Sequence, residues 1–114
     1  MSTKVSIDLD DARTSFESRV LSGRERGIEC REVFKVDSLD RAPASVVVSI
    51  PRDIYSMNTS FFLGLFGESV RALGKEGFVS KYEFDCDKIH NDTIVDGIER
   101  ALKEESIFNR RKMA

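Results

Sequence analysis

Between Thr3 and Asp10 the chain alternates: Val5, Ile7 and Leu9 fall on one side, and Lys4, Ser6, Asp8 and Asp10 on the other. A period of two predicts a strand with one wet face, suited to an edge or near-edge place in a sheet. Ser22-Gly23-Arg24-Glu25 has the spacing of a capping box, in which hydroxyl and carboxylate each satisfy a free N–H. A helix from Gly23 to Phe34 follows, with Ile28, Val33 and Phe34 as its apolar face. Gly23 and Gly27 lie one turn apart on that helix, at a cost of about 1 kcal/mol each against alanine. They mark close approach of another backbone, or of a ligand. Asp37 to Pro43 reads as a loop. Ala44 to Ile50 holds the β-branched run Val46-Val47-Val48-Ser49-Ile50, the pattern of a strand buried on both faces at the centre of a sheet. Pro51 stops it, since proline cannot donate to the ladder.

Arg52 to Asn58 is expected to be a loop. From Thr59 or Ser60 onward, Phe62, Leu65, Phe66, Val70 and Leu73 recur at helical spacing. Asn58, Thr59 and Ser60 are all good N-cap residues, and Gly74 and Gly77 are candidate stops. The first turn is apolar nearly all round, so it is expected to be buried or in contact with a partner. Phe78 to Phe84 alternates again and predicts a third strand, and Asp85 to His90 reads as a loop. Asn91 or Asp92 caps a last helix built on Ile94, Val95, Ile98, Ala101 and Leu102, with Glu99 and Lys103 as an i,i+4 pair on its open side. The expected order is β-α-β-α-β-α. That alternation predicts an α/β fold, a sheet with helical cover, and the second strand, second helix and third strand read as a right-handed βαβ unit.

Length and charge narrow the picture. The chain has 114 residues, the size of one domain. Residues 1–108 are expected to form it, with 109–114 as a basic tail. Lys plus Arg is 18 and Asp plus Glu is 20, for a net charge of −2. A weakly acidic chain without a basic stripe is a poor nucleic-acid binder; Arg110, Arg111 and Lys112 are its only basic cluster and read as a solvated tail. No apolar run approaches the roughly 18 residues of a membrane span, and Met1 to Asp11 carries no signal-peptide core. Cys30 and Cys86 stand alone, without zinc or Cys-x-x-Cys spacing, and are expected to be reduced thiols in a cytoplasmic protein.

Candidate chemistry is sparse. His90 is the one histidine, and a Cys86–His90 pair is the only candidate for a thiol nucleophile with a base. Glu83, Asp85 and Asp87 alternate near a strand end with Asp92 close by; they could hold a hard cation, though their spacing fits no calcium loop and solvated acids are the simpler reading. Gly64-Leu65-Phe66-Gly67 lacks the ending of a phosphate loop and reads as room for a neighbouring strand. No metal or cofactor is expected.

The stretch from Val46 to Phe84 resembles the STAS-like domain family, relatives of the sulphate-transporter and anti-sigma-factor-antagonist domains. The residues that carry the likeness are Val46-Val47-Val48-Ser49-Ile50, then Ser56 through Gly67 with Ser60-Phe61 at the helix start and Phe66-Gly67 within it. Gly23-Arg24-Glu25-Arg26-Gly27 is similar to the family's preceding helix. The resemblance implies a mixed β-sheet covered by helices and a non-enzymatic role in bacterial signalling. It implies partner switching with a histidine-kinase-type ATPase or a regulator, as a monomer or weak dimer. It places the partner-binding surface on Ser56, Met57, Asn58, Thr59, Ser60, Phe61 and Phe62. Anti-sigma factor antagonists carry Met-Asp-Ser-Ser-Gly at the equivalent helix start. Here Asn58 stands for the Asp, Thr59 for the phosphoacceptor and Phe61 for the Gly, which leaves Thr59 and Ser60 as candidate phosphoacceptors. The alternative is a small ligand sensor or thiol-dependent enzyme using Cys86, His90 and the nearby acids.

Overall fold

A computed structural model describes residues 3–13 and 18–113, and side chains through Glu104. Three strands, β1 (Thr3–Asp8), β3 (Ala44–Ser49) and β5 (Tyr82–Asp85), form one sheet in the order β1-β3-β5. Two short strands, β2 (Val20–Leu21) and β4 (Ser56–Met57), pair separately. The helices are α1 (Arg24–Val33), α2 (Val36–Arg41), α3 (Thr59–Lys81) and α4 (Asn91–Met113). The chain is therefore α/β, with the β-branched strand at the sheet's centre and β1 at its edge, as the patterns predict. Every described ladder is parallel, so the sheet is not the mixed one expected.

The central strand is buried on one face only. Val46 and Val48 face the core, while Ser45 is exposed and Val47 and Ser49 are half-buried. Lys4, Ser6 and Asp8 of β1 and Glu83 and Asp85 of β5 are exposed on the same open side. A parallel sheet is ordinarily covered on both faces; here polar side chains let water cover one of them. The β-branched run misled because Val47 carries strand propensity without needing deep burial.

Helix α1 packs against α3 through glycine. A Cβ on Gly27 would lie 2.8 Å from the backbone nitrogen of Leu65 and 3.0 Å from the Cα of Gly64. A Cβ on Gly64 would in turn reach the backbone nitrogen of Ile28 at 2.9 Å. The Gly27 signal thus meant backbone packing, and the neighbour for which Gly64 makes room is a helix rather than the expected strand. Of the expected apolar face of α1 only Phe34, at its end, packs against the core; Val33 is 69% and Ile28 47% exposed, whereas Gly27, Cys30 and Arg31 are buried. Nor does Ser22 cap this helix. Gly23 takes the cap position at φ 92°, a left-handed conformation that suits glycine, with no side-chain cap bond.

The expected loop at Asp37 to Pro43 is mostly the helix α2, fastened by an ion network around the buried Arg31. Arg31 donates from Nε to Asp37 (2.9 Å), from Nη1 to the Leu65 carbonyl (2.9 Å) and Ser69 Oγ (2.8 Å), and from Nη2 to Asp40 (2.9 Å). Ser69 Oγ donates to Asp40 (2.7 Å), and Tyr82 Oη also donates to Asp40. Four elements, α1, α2, α3 and β5, meet at this charge cluster, which an apolarity pattern cannot reveal.

The third strand is shorter than its alternation predicts. Helix α3 continues to Lys81 and only Tyr82–Asp85 is extended, so Phe78 packs from a helix. Gly74, at φ 76° and ψ 167°, is non-helical and kinks α3 into two helices, residues 59–73 and 75–81, so the stop expected at Gly74 is there and a second short helix follows it. Phe62, Phe66, Phe78, Tyr82 and Phe84 form one aromatic cluster with centroids 4.9 to 6.2 Å apart. Gly97 on α4 makes room for it, since a Cβ there would sit 2.9 Å from Phe62 Cγ. Ile94, Ile98 and Ala101 bury the inner face of α4, while Val95 is exposed. The backbone of α4 is helical through Arg110, Arg111 and Lys112 to Met113; their side chains lie outside the described residues.

Candidate interaction surface at the start of the third helix

The segment before α3 is tied down from both sides. Tyr55 N–H donates to the Arg19 carbonyl (3.1 Å) and Asn58 N–H to the Leu21 carbonyl (2.7 Å), flanking the β2–β4 pairing of Val20 with Ser56 and Leu21 with Met57. Ile54 is fully buried and its carbonyl accepts from His90 Nε2 at 3.0 Å. A carbonyl only accepts, so this bond makes Nε2 the protonated nitrogen.

The helix opens with a side-chain cap. Asn58 Oδ1 accepts from Ser60 N–H at 2.7 Å, and the Asn58 carbonyl accepts from Phe62 N–H at 3.2 Å. Thr59 Oγ1 donates to the Asp96 carboxylate of α4 at 3.1 Å, and Asp96 also pairs with Arg100 at 3.3 Å. The seven residues expected to form a partner surface divide sharply. Asn58 and Ser60 are exposed, and Ser56 and Thr59 are half-buried. Met57, Phe61 and Phe62 are buried in the core, which corrects the expectation that they offer apolar contact to a partner. The apolar first turn signalled burial: Phe61 and Phe62 pack inward once β3, α1 and α4 surround the helix. Sequence reasoning missed Tyr55, which is 65% exposed beside this turn, and the exposed Val20 and Ile89 on the adjoining segments. Only the β2–β4 pairing and the His90 anchor bring those segments alongside.

The alternative site does not assemble as a catalytic pair. His90 is 1% exposed and engaged with Ile54, and no hydrogen bond joins it to Cys86 among the described residues. Burial pushes the Cys86 thiol up, Arg52 opposes this, and Asp85 and Asp87 add to it. A raised thiol is mostly protonated at neutral pH and a poor nucleophile. Asp87 is occupied near the turn it precedes, accepting from Ile89 N–H at 3.4 Å. Glu83 lies on the open sheet face and Asp92 in the first turn of α4, and no metal-holding group of His, Cys, Asp or Glu occurs among the described residues.

Asp85 instead borders a cleft of about 410 Å³ at the carboxyl ends of β1, β3 and β5, with Asp8, Asp10, Asp53, Arg13 and Arg52. Arg13 is already committed there, to Asp10 (2.6 Å), to Asp53 and to the Ser18 carbonyl (2.8 Å). Its hydrogen bond to Asp53 raises the guanidinium above its ordinary value and holds the Asp53 carboxyl below the usual carboxylate range. These acids come from three separate stretches of the chain, so no local motif announces the cleft. No protein-family model, curated protein or solved structure matches the chain. None of the described helices is long and apolar enough to cross a membrane.

Proposed function

We propose that this chain is a non-enzymatic, cytoplasmic interaction module of a bacterial signalling system, STAS-like in type, that exchanges partners with a histidine-kinase-type ATPase or a regulator. The family resemblance of Val46 to Phe84 motivates the reading. The observation that carries it is the surface at the α3 start: Asn58 and Ser60 exposed on a helix N-terminus beside a 65%-exposed tyrosine, Tyr55. An aromatic ring next to free hydrogen-bonding groups is a common protein-contact composition. The docking residues are then Tyr55, Ser56, Asn58 and Ser60, with Val20 and Ile89 at the margin.

The same geometry ranks the two hydroxyls as phosphoacceptors. A phosphate on Thr59 would set about −1.5 to −2 charges against Asp96, the carboxylate its hydroxyl now contacts. Ser60 is exposed and sits in the first turn, where the helix dipole favours an anion. Ser60 is therefore the better acceptor, and its modification would repel an acidic partner without disturbing the buried Phe61 and Phe62. The thiol-enzyme reading has less behind it, because His90 is buried and bonded to Ile54.

The test is calorimetric titration of the purified chain with a histidine-kinase-type ATPase encoded beside its gene. Tyr55→Ala and Ser60→Asp are each expected to weaken binding about tenfold or more, the scale of an interface hot spot, with melting temperature unchanged. Absence of binding, or wild-type affinity in both variants, refutes the proposal. Intact mass after incubation with the ATPase and ATP is expected to rise by one phosphate, and to stay unchanged for Ser60→Ala.

A further inference from the structure

β1 lies at the edge of its sheet, and among the described residues only β3 pairs with it. It is six residues long and contains neither proline nor glycine. Its register with β3 is unbroken from Thr3↔Ala44 to Asp8↔Ser49, without a bulge. Such an edge leaves a row of backbone N–H and C=O groups free to template another strand. Among the described residues, the devices that commonly blunt an edge are limited to the charged side chains of Lys4 and Asp8.

The charge pattern of that edge is complementary to itself. Lys4, Ser6 and Asp8 occupy the open face in turn, and all three are exposed. When two β1 strands run antiparallel about a two-fold axis through Ser6, Lys4 of each copy stands opposite Asp8 of the second copy, and Ser6 opposite Ser6. On the covered side, half-buried Val5 faces Ile7 of the second copy. Shifting the register by two residues toward the strand start sets Lys4 opposite Ser6 and leaves Asp8 without a basic partner. Shifting it two the other way sets Lys4 against Asp10, which lies beyond the strand in a 3₁₀ turn. A one-residue slip would put the helical layers on opposite faces.

We propose that β1 is a homodimerisation edge: two copies join antiparallel through Lys4–Asp8, fusing two three-stranded sheets into one continuous sheet with order β5-β3-β1-β1-β3-β5. The two-fold axis yields two identical Lys4–Asp8 pairs and satisfies the free backbone row. The contact is one strand wide, so the dimer is reversible rather than obligate.

Sedimentation equilibrium of the full chain up to about 1 mM reads the association. The unmodified chain is expected to form a concentration-dependent dimer. Lys4→Asp alone sets two carboxylates opposite each other at both pairs, and Asp8→Lys alone sets two ammonium groups there. Each is expected to raise the dimer Kd about tenfold. An equimolar mixture of the two variants is expected to recover wild-type affinity as a heterodimer, because every pair is then again of opposite sign. That rescue separates interface loss from misfolding, which matters since Asp8 also accepts from Asp10 N–H at 2.9 Å. Ser6→Cys in a Cys86→Ser background is expected to cross-link to a disulfide dimer on mild oxidation, directly across the axis. A chain that stays monomeric to 1 mM overturns the proposal. So does a dimer whose Kd neither reversal changes, a mixture that shows no rescue, or an edge that takes up only a strand from a different protein.

Discussion

Replacing Phe66 by alanine tests the core at its busiest point. The ring is 1% exposed and has four aromatic neighbours: Tyr82 at 5.2 Å between centroids, Phe84 at 5.6 Å, and Phe62 and Phe78 at 5.7 Å each. Three of these pairs are edge-on, the arrangement in which ring quadrupoles attract. Truncation removes the transfer energy of a buried ring and leaves a cavity whose walls are themselves rigid rings, poorly able to collapse inward. Such substitutions cost about 3–5 kcal/mol, and the walls here favour the upper half. Domains of this size hold about 5–15 kcal/mol in all, so the variant should retain a transition but at far lower denaturant. Urea unfolding followed by far-ultraviolet circular dichroism gives the difference in free energy, read as a shift in midpoint at unchanged slope. A loss below 1 kcal/mol would mean that the α3–β5 interface is not packed through this ring. That would refute the aromatic-cluster account of the fold.

Gly64→Ala is expected to destabilise by about 1–3 kcal/mol or more, because its Cβ collides with the backbone of α1 rather than a movable side chain; an unchanged thermal midpoint would refute the glycine crossing. Arg31→Ala leaves Asp40 largely buried without its cation and is expected to cost about 3–5 kcal/mol in urea unfolding, more than any exposed arginine such as Arg19. Tyr82 links to pH: burial and then its hydrogen bond to Asp40 raise the phenol above its ordinary value of 10.0. The unfolded chain therefore loses that proton first, so the stability it contributes is whole below about pH 10 and falls as pH rises further. Tyr82→Phe should flatten that alkaline limb in a series of melts, and an unaltered limb would count against a buried, neutral Tyr82.

Much of the architecture was readable along the chain because it rests on local periodicity. Val46 to Ser49 reads as a strand from its β-branched side chains, and β1 from strict alternation. Phe62, Phe66 and Val70 read as a helix face that turns inward. Where the reading failed, two signals of similar appearance competed. Phe78 to Phe84 alternates, yet its first part continues α3, because packing Phe78 on Phe66 and Tyr82 outweighs a weak strand pattern. Asp37 to Arg41 carries turn-forming residues, yet folds as α2 because Arg31 binds two of its carboxylates.

The candidate surface shows the same division. That one of Asn58, Thr59 and Ser60 caps α3 follows from residue type and spacing alone, and the structure gives the position to Asn58, whose side-chain oxygen reaches the Ser60 N–H. Which neighbours remained exposed did not follow. Met57, Phe61 and Phe62 were sorted from Asn58 and Ser60 by β3, α1 and α4 closing over the helix start. Tyr55 joined the surface only through pairing of β2 with β4 and the bond from His90 to Ile54. Local backbone preference is a property of a few adjacent residues and so is written in the sequence. Burial and juxtaposition depend on elements tens of residues apart, and only the assembled tertiary structure decides which side of each element meets water.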